Sequence, residues 1–337
     1  MNATMIGLDL AKSVFQVHGV DEAGVVLLRK RLRRGEIERF FAKLPASIVG
    51  MEACGGAHHW GRVLQGLGHE VRLMPAAYVK PYVKRNKTDS RDAEAICEAM
   101  MRPSMRFIAV KSVEQQAVMT LHRTRALLVR QRTMAANALR ALFTEFGVVA
   151  CPGIKGLRVL LAGVPGVLPP EAELAGAALV RQWEGLTTEI AALADRIVAV
   201  AKADEAACRL MAIPGVGPLG ASAIVAAVPD ARLFRSGRSF AAWLGLTPRQ
   251  NNSGDKRRSG GISKQGDRHI RTLLILGASA HLRQMRGREH KDPWLAKLIT
   301  RRPTKVAAVA RAAKTARIIR AMLVTGQPYR APARQPA

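Results

Sequence analysis

The stretch Lys84-Arg85-Asn86-Lys87-Thr88-Asp89-Ser90-Arg91-Asp92-Ala93-Glu94-Ala95-Ile96 decides how this chain folds. Thr88 is suited to cap a helix that begins at Asp89. Asp89 and Asp92 are three residues apart and so share one helical face. Two carboxylates one turn apart repel each other unless positive charge sits between them. The neighbouring bases Lys84, Arg85 and Lys87 are one source of that charge. A divalent ion is the other, because hard oxygen ligands suit magnesium or manganese. An acidic first turn also complements the helix dipole by itself. The pair acquires meaning from two more carboxylates upstream, each on a predicted strand.

Met5 to Leu10 alternates, with Ile6, Leu8 and Leu10 on one face and Asp9 on the other. Val14 to Val20 and Val25 to Leu32 read as two further strands, joined by the turn Asp21-Glu22-Ala23-Gly24. A short helix over Gly35 to Leu44 follows, then a buried strand from Ser47 to Met51 that ends in Glu52. A helix from Ala57 to Leu67, a fifth strand from His69 to Met74 and the Asp89 helix, running to about Met101, complete the region. Three strands in hairpin succession, then alternating helix and strand, is the order of an α/β ribonuclease-H-like domain, here residues 1–105. In that topology the first and fourth strands are neighbours. Asp9, Glu52, Asp89 and Asp92 are then expected to converge on a two-ion Mg2+ or Mn2+ site, with ions roughly 3.5–4 Å apart clamping the oxygens of a phosphodiester. His58 and His59 lack a second ligand at helical spacing; one is expected to pack and the other to meet solvent or phosphate. Trp60 reads as core.

Charge narrows the partners. The 337 residues carry 53 Lys+Arg against 25 Asp+Glu, a formal net charge of +28, spread along the chain. Such a field recruits polyanions, nucleic acid first. The sequence has no unbroken apolar run of membrane-spanning length, and the first residues lack a charged export region. The four cysteines are scattered with no CxxC pair, which argues against zinc and disulfides and suits a reducing cytoplasm. Aromatics are 4% of residues, too few for a binder built on base stacking.

Residues 111–207 read as long helices. A capping box at Ser112 opens one that continues to Gly147, with Val118, Leu121, Leu128, Ala135, Leu139, Leu142 and Phe146 as its apolar positions. His122, Arg123, Arg130 and Arg140 lie around that stripe, either as a solvated face or as a strut along nucleic acid. After a loop from Cys151 to Pro170, a second helix runs from Glu171 to about Ala207. Its Leu179, Trp183, Leu186, Ile190, Leu193, Ile197 and Val200 follow coiled-coil spacing.

Residues 208–325 read as a mainly α region. Ile213-Pro214-Gly215-Val216-Gly217-Pro218 resembles a helix-hairpin-helix turn, whose Gly215 and Gly217 would let backbone N–H groups approach DNA phosphate. Thr247 to Asp267 is a long basic, glycine-rich loop with Arg249, Lys256, Arg257, Arg258 and Lys264, and Arg268 just beyond it. Ser253, Ser259 and Ser263 are hydroxyls among these cations, a setting for phosphate contact or for nucleophilic attack on phosphorus. Helices follow at Arg268 to Arg283, Asp292 to Arg301 and Pro303 to Leu323, and residues 326–337 are expected to be a disordered tail.

Together these motifs resemble the DEDD transposases of bacterial insertion sequences, the one-ten family and its eleven-eleven group. The resemblance runs through Gly7-Leu8-Asp9-Leu10-Ala11-Lys12, Met51-Glu52-Ala53-Cys54, the Asp89 stretch, the Gly215 turn and Gly261-Ile262-Ser263-Lys264-Gln265-Gly266-Asp267. It implies a RuvC-like domain holding magnesium with Asp9, Glu52, Asp89 and Asp92. It also implies a catalytic serine in a Ser-Gly-Gly stretch, here Asn252-Ser253-Gly254-Asp255, which makes Ser253 the nucleophile of a DNA recombinase; Asp255 departs from the small residue that the pattern has there. A structured guide RNA bridging target and donor DNA, and dimeric or tetrameric assembly, are implied in the same way. Two rival readings use the same residues differently. A junction-resolvase-like nuclease would need the acids and water but no serine. A non-catalytic nucleic-acid binder would gain nothing from clustered acids.

Overall fold

The computed structural model describes residues 3–83, 89–162, 168–253, 256–285, 287 and 292–331, apart from the side chains of Asp89 and Arg257. Lys84, Arg85, Lys87, Thr88, Gly254 and Asp255, together with the end of the expected tail, lie outside the described residues. The chain divides into two compact units. One comprises Met1–Gln116 with Ala226–Arg235, the other Ala117–Val225 with Ser236–Ala337. The middle helices from residue 117 share a unit with the C-terminal region.

The first unit is built on a five-stranded mixed sheet. Strands β1 (Met5–Leu10), β2 (Val14–Val20) and β3 (Val26–Arg33) form an antiparallel meander. Helix α1 (Ile37–Phe41) leads to β4 (Ile48–Glu52), and α2 (Ala57–Gly66) leads to β5 (Glu70–Met74); β4 runs parallel to both β1 and β5. The strand order is β3-β2-β1-β4-β5. Short α3 (Ala76–Val79) precedes α4 (Asp89–Met100).

The alternation read from the sequence sets the two sheet faces. Ile6 and Leu8 are fully buried with Phe15, Val17, Val49, Met51, Trp60 and Leu64 in one core. Helix α4 covers the other face, where Ala95, Ile96, Cys97 and Met100 pack with Val20 and Met74. Glycine makes that second face possible: a Cβ on Gly7 would collide with the Ala93 carbonyl and stand 2.7 Å from the Cys97 nitrogen. Gly50 fits the same helix, since a Cβ there would stand 2.7 Å from the Met100 sulfur.

The second unit is helical. Helices α5 (Val113–Glu145, whose first four residues belong to the first unit), α6 (Gly153–Ala162) and α7 (Pro170–Ala203) share a core of Ala135, Ala136, Leu139, Phe143, Leu157, Leu160 and Trp183. All seven coiled-coil positions expected on α7 are buried or half-buried. Helix α6 replaces the expected loop from Cys151; its glycines at Gly153 and Gly156 hid the Leu157 and Leu160 spacing. Phe146 is exposed and Phe143 takes the buried position. The helix expected to reach Ala207 breaks at Asp204, whose side chain accepts a hydrogen bond from the Ala207 N–H at 2.7 Å and caps α8 (Glu205–Met211).

Helices α9 (Pro218–Ala227) and α10 (Gly237–Trp243) lead to a two-stranded hairpin, β6 (Pro248–Ser253) and β7 (Lys256–Ile262). Helices α11 (Arg268–Gln284), α12 (Pro293–Ile299) and α13 (Thr304–Thr325) complete the unit. Alanines 307, 308, 312 and 316 of α13 are buried and let α10, α11 and α12 pack closely against it. Arg311, also buried, is paired with Asp292 at 3.2 Å. Among the described residues, no helix is long and apolar enough to cross a membrane.

Candidate active site

Strand β1 pairs with β4 up to Leu8 opposite Met51. Asp9 and Glu52 are the next residues on these adjacent strands, and both are half-buried. The helix arrives from the opposite direction. The Cys97 thiol points to the Met5 carbonyl at 3.8 Å, whereas Ala93, a turn earlier, lies against Gly7. Helix α4 therefore runs antiparallel to β1, and its N-terminal turn, with half-buried Asp92, lies at the Asp9 end of the strand. Asp89 is the first helical residue; its side chain lies outside the described residues.

Cys54, two residues beyond Glu52, senses both strand acids. Burial raises its thiol pKa most, and the charges of Glu52 and then Asp9 raise it further. Two carboxylates from different strands thus act on one point. Among the described residues, no three Asp, Glu, His or Cys side chains stand close enough together to hold a metal ion. The donor set nonetheless has the chemistry of a hard divalent cation site: carboxylate oxygens from a sheet end, with no thiolate or imidazole required.

Of the neighbouring histidines, His58 packs and His59 is exposed, as expected for one of the pair. The His58 Nδ1 accepts the Lys111 backbone N–H at 3.1 Å, and His59 meets the edge of the Trp60 ring. Trp60 is core, with Phe15 edge-on at 5.2 Å.

In the second unit the stretch Thr247 to Asp267, expected as a loop, is mostly β-hairpin. Every residue of β6 is exposed, so no alternation of apolar and polar residues announced it; ladder hydrogen bonds rather than burial define it. Ser253 ends β6, opposite Lys256, and is exposed. Arg249, Lys256, Arg258, Ser259, Lys264 and Arg268 are exposed, and Ser263 is half-buried. Arg123 and Arg130 are exposed on α5.

The hairpin foot is held by backbone and side-chain hydrogen bonds. The Lys264 N–H donates to the Gly245 carbonyl at 3.1 Å and the Ser263 N–H to the Thr247 carbonyl at 2.9 Å. Lys264 has φ 57°, the one non-glycine residue with positive φ among those described. Buried Arg271 donates from Nη1 to the carbonyls of Leu244 (3.0 Å) and Gln265 (2.7 Å), one on each leg of the foot. The sequence reading missed Arg271, since a basic residue on an amphipathic helix gives no sign that it is buried.

It also missed a polar chain through three helices. His122 of α5 contacts Ser222 of α9 at 3.2 Å through Nε2 and His269 of α11 at 3.4 Å through Nδ1. Burial, followed by the charges of His269 and Arg125, lowers the His122 pKa to about 4, with Asp267 acting the other way.

The two glycines of the Gly215 turn differ. Gly215 has φ 89° and packs on the α11 backbone, where a Cβ would stand 2.7 Å from the Gly277 carbonyl; Gly217 faces open space.

Comparison with known proteins joins these two regions. A model of the DEDD, IS110-type transposase domain matches residues 6–147, and the model of the "Transposase IS116/IS110/IS902 family" matches residues 207–294. The chain is 49% identical over 337 residues to a probable family 20 transposase of Pseudomonas aeruginosa, covering 98% of this chain and 99% of that one. The chain belongs to the IS116/IS110/IS902 family of transposases. Two further relatives are the transposases of insertion sequence elements IS1111A of Coxiella burnetii (42% identical, 97% of this chain and 91% of that one) and IS1328 of Yersinia enterocolitica (40%, 97% and 98%). The transposase is an enzyme of DNA, and its DEDD domain carries a dependence on divalent metal.

Proposed function

We propose that this transposase cuts and rejoins DNA with the carboxylates of a RuvC-like first unit and the Ser253 hydroxyl of the second. The observation that carries the reading is that Asp9, Glu52 and the N-terminal turn of α4 lie at the same end of a β3-β2-β1-β4-β5 sheet. Asp9, Glu52, Asp89 and Asp92 are the residues that would hold divalent ions, magnesium or manganese. Such ions, when bound, supply charge neutralisation at the reacting phosphate.

The serine step conserves bond energy. Oγ of Ser253 bonds to phosphorus as the P–O bond to one strand end breaks; the serine proton passes to a carboxylate or to solvent, and the departing strand oxygen becomes a hydroxyl. A new strand-end hydroxyl then attacks the phosphoserine and returns Oγ to the enzyme. The exposed end of β6 suits a nucleophile that must reach DNA, and Arg249, Lys256, Arg257 and Arg258 suit phosphate positioning. Further contacts are assigned to Lys84, Arg85, Lys87, Arg123, Arg130, Lys264, Arg268 and the open turn at Gly217. The reading includes a structured guide RNA and a multimeric assembly, supported by the family resemblance and by a net charge of +28.

The test is an excision and strand-transfer assay with Mg2+ on Asp9→Asn, Glu52→Gln, Asp92→Asn and Ser253→Ala, with covalent protein–DNA adduct measured in parallel. Each acid variant should lose strand transfer, and Ser253→Ala should also lose the adduct. Adduct persisting in Ser253→Ala removes this serine from the reading. Native-rate cutting of four-way junctions by that variant favours the hydrolytic nuclease. Strand transfer unaffected by ribonuclease treatment removes the guide RNA.

A further inference from the structure

A cleft of about 640 Å³ opens at the foot of the β6–β7 hairpin, bounded by α10, α13 and β6. Its volume lies within the range of about 300–1,000 Å³ typical of small-ligand sites. Arg238 of α10 and Arg317 of α13 stand at its edge, both exposed. Thr247 and Gln250 contribute a hydroxyl and an amide, and Ala241 and Ala313 contribute apolar wall.

The two helices that carry these cations pack closely beside the cleft. A Cβ on Gly237 would stand 3.0 Å from the Arg317 Cβ and 3.1 Å from its Cα, so a larger residue there would press α10 away from α13 by a few tenths of an ångström. Among the described residues no carboxylate lines the cleft, and neither arginine has an ion-pair partner. Two guanidiniums on one cleft without a lining carboxylate suit a phosphate, which arginine grips through its planar fork. The small apolar wall suits the face of a base, and the Thr247 and Gln250 groups suit its polar edge.

We propose that this cleft is a nucleotide pocket, which takes one nucleotide of a single DNA strand beside the hairpin. DNA rather than RNA is the occupant because the cleft is continuous with β6, the strand that carries Ser253, in an enzyme whose substrate is DNA. The pocket requires neither metal nor serine chemistry, so its test is independent of both.

The full-length protein is titrated with a fluorescently labelled 12-nucleotide single-stranded DNA and with the matching RNA, in EDTA, over a range of salt. The slope of log K against log salt shrinks in magnitude by about 0.7 for each single-strand phosphate that the protein no longer neutralises. The double variant R238A/R317A, which leaves that one phosphate unneutralised, should therefore reduce the DNA slope by about 0.7 and weaken binding about fourfold at physiological salt. Ala313→Phe, which fills the cleft without changing charge, should weaken DNA binding with little change in slope. Gln250→Ala, on the exposed hairpin, should do the same more mildly and secures the test if Ala313→Phe fails to fold. Unchanged DNA affinity in R238A/R317A overturns the pocket. Loss confined to RNA overturns the DNA assignment. A changed slope in R238A/R317A with no effect of Ala313→Phe or Gln250→Ala reduces the site to a surface phosphate contact and overturns the nucleotide pocket.

Discussion

Gly7 of β1 lies directly against the backbone of Ala93 in α4, with no room for a side chain between them. This contact fixes how far the helix sits along the strand, and so sets Asp92 beside the end of β1 that carries Asp9. A methyl group at Gly7 must push the helix away from the sheet. Gly7→Ala should cost about 3 kcal/mol, at the upper end of ordinary overpacking, and should abolish strand transfer. Gly35→Ala, where nothing lies within 4 Å of the added Cβ, should leave both unchanged. Chemical denaturation of the two variants checks the difference.

The buried His122 makes stability depend on pH. Its folded pKa of about 4 lies below the ordinary 6.5, so the folded state favours the neutral ring. Its contribution is complete above pH 6.5 and is lost as pH falls from 6.5 towards 4. Between pH 7.5 and pH 5 the loss from this group should be about 2 kcal/mol. His269 is also lowered by burial and adds in the same direction. Unfolding curves across that interval should be flatter for His122→Gln than for the native protein.

Arg271 holds both legs of the hairpin foot through the carbonyls of Leu244 and Gln265. Arg271→Ala leaves these carbonyls without their cationic donor and should cost about 3 kcal/mol. Hydrogen exchange at Ser263 and Lys264, whose amides close the foot, should quicken more than exchange within α13. Arg271→Lys, which keeps the charge but not the geometry of the guanidinium, should restore only part of the protection.

The acid-bearing half of the molecule was legible in sequence because its signals are local and periodic. Alternation in β1 separates Asp9 from Ile6 and Leu8, and the Asp89 to Met100 helix shows its own spacing. Even there, the collision that Gly7 avoids depends on a helix more than eighty residues away. The hairpin was not legible. Its strands are polar on both sides, so the period-two pattern that marks a half-buried strand is missing. His122 and Arg271 were hidden for a related reason: their partners are tertiary, and a polar residue on an amphipathic helix looks the same whether it meets water or another helix. Gly215 carries a packing role on Gly277 that its sequence did not announce, since that contact too is tertiary.

The central proposal is that Asp9, Glu52, Asp89 and Asp92 together hold divalent ions. Manganese binding to the full-length protein, followed by electron paramagnetic resonance without nucleic acid, tests it most directly. The native protein and Glu38→Gln, altered at an exposed acid on α1, should bind Mn2+ alike, and Asp9→Asn, Glu52→Gln and Asp92→Asn should each lose the bound-ion signal. Undiminished binding in those three variants would contradict the account.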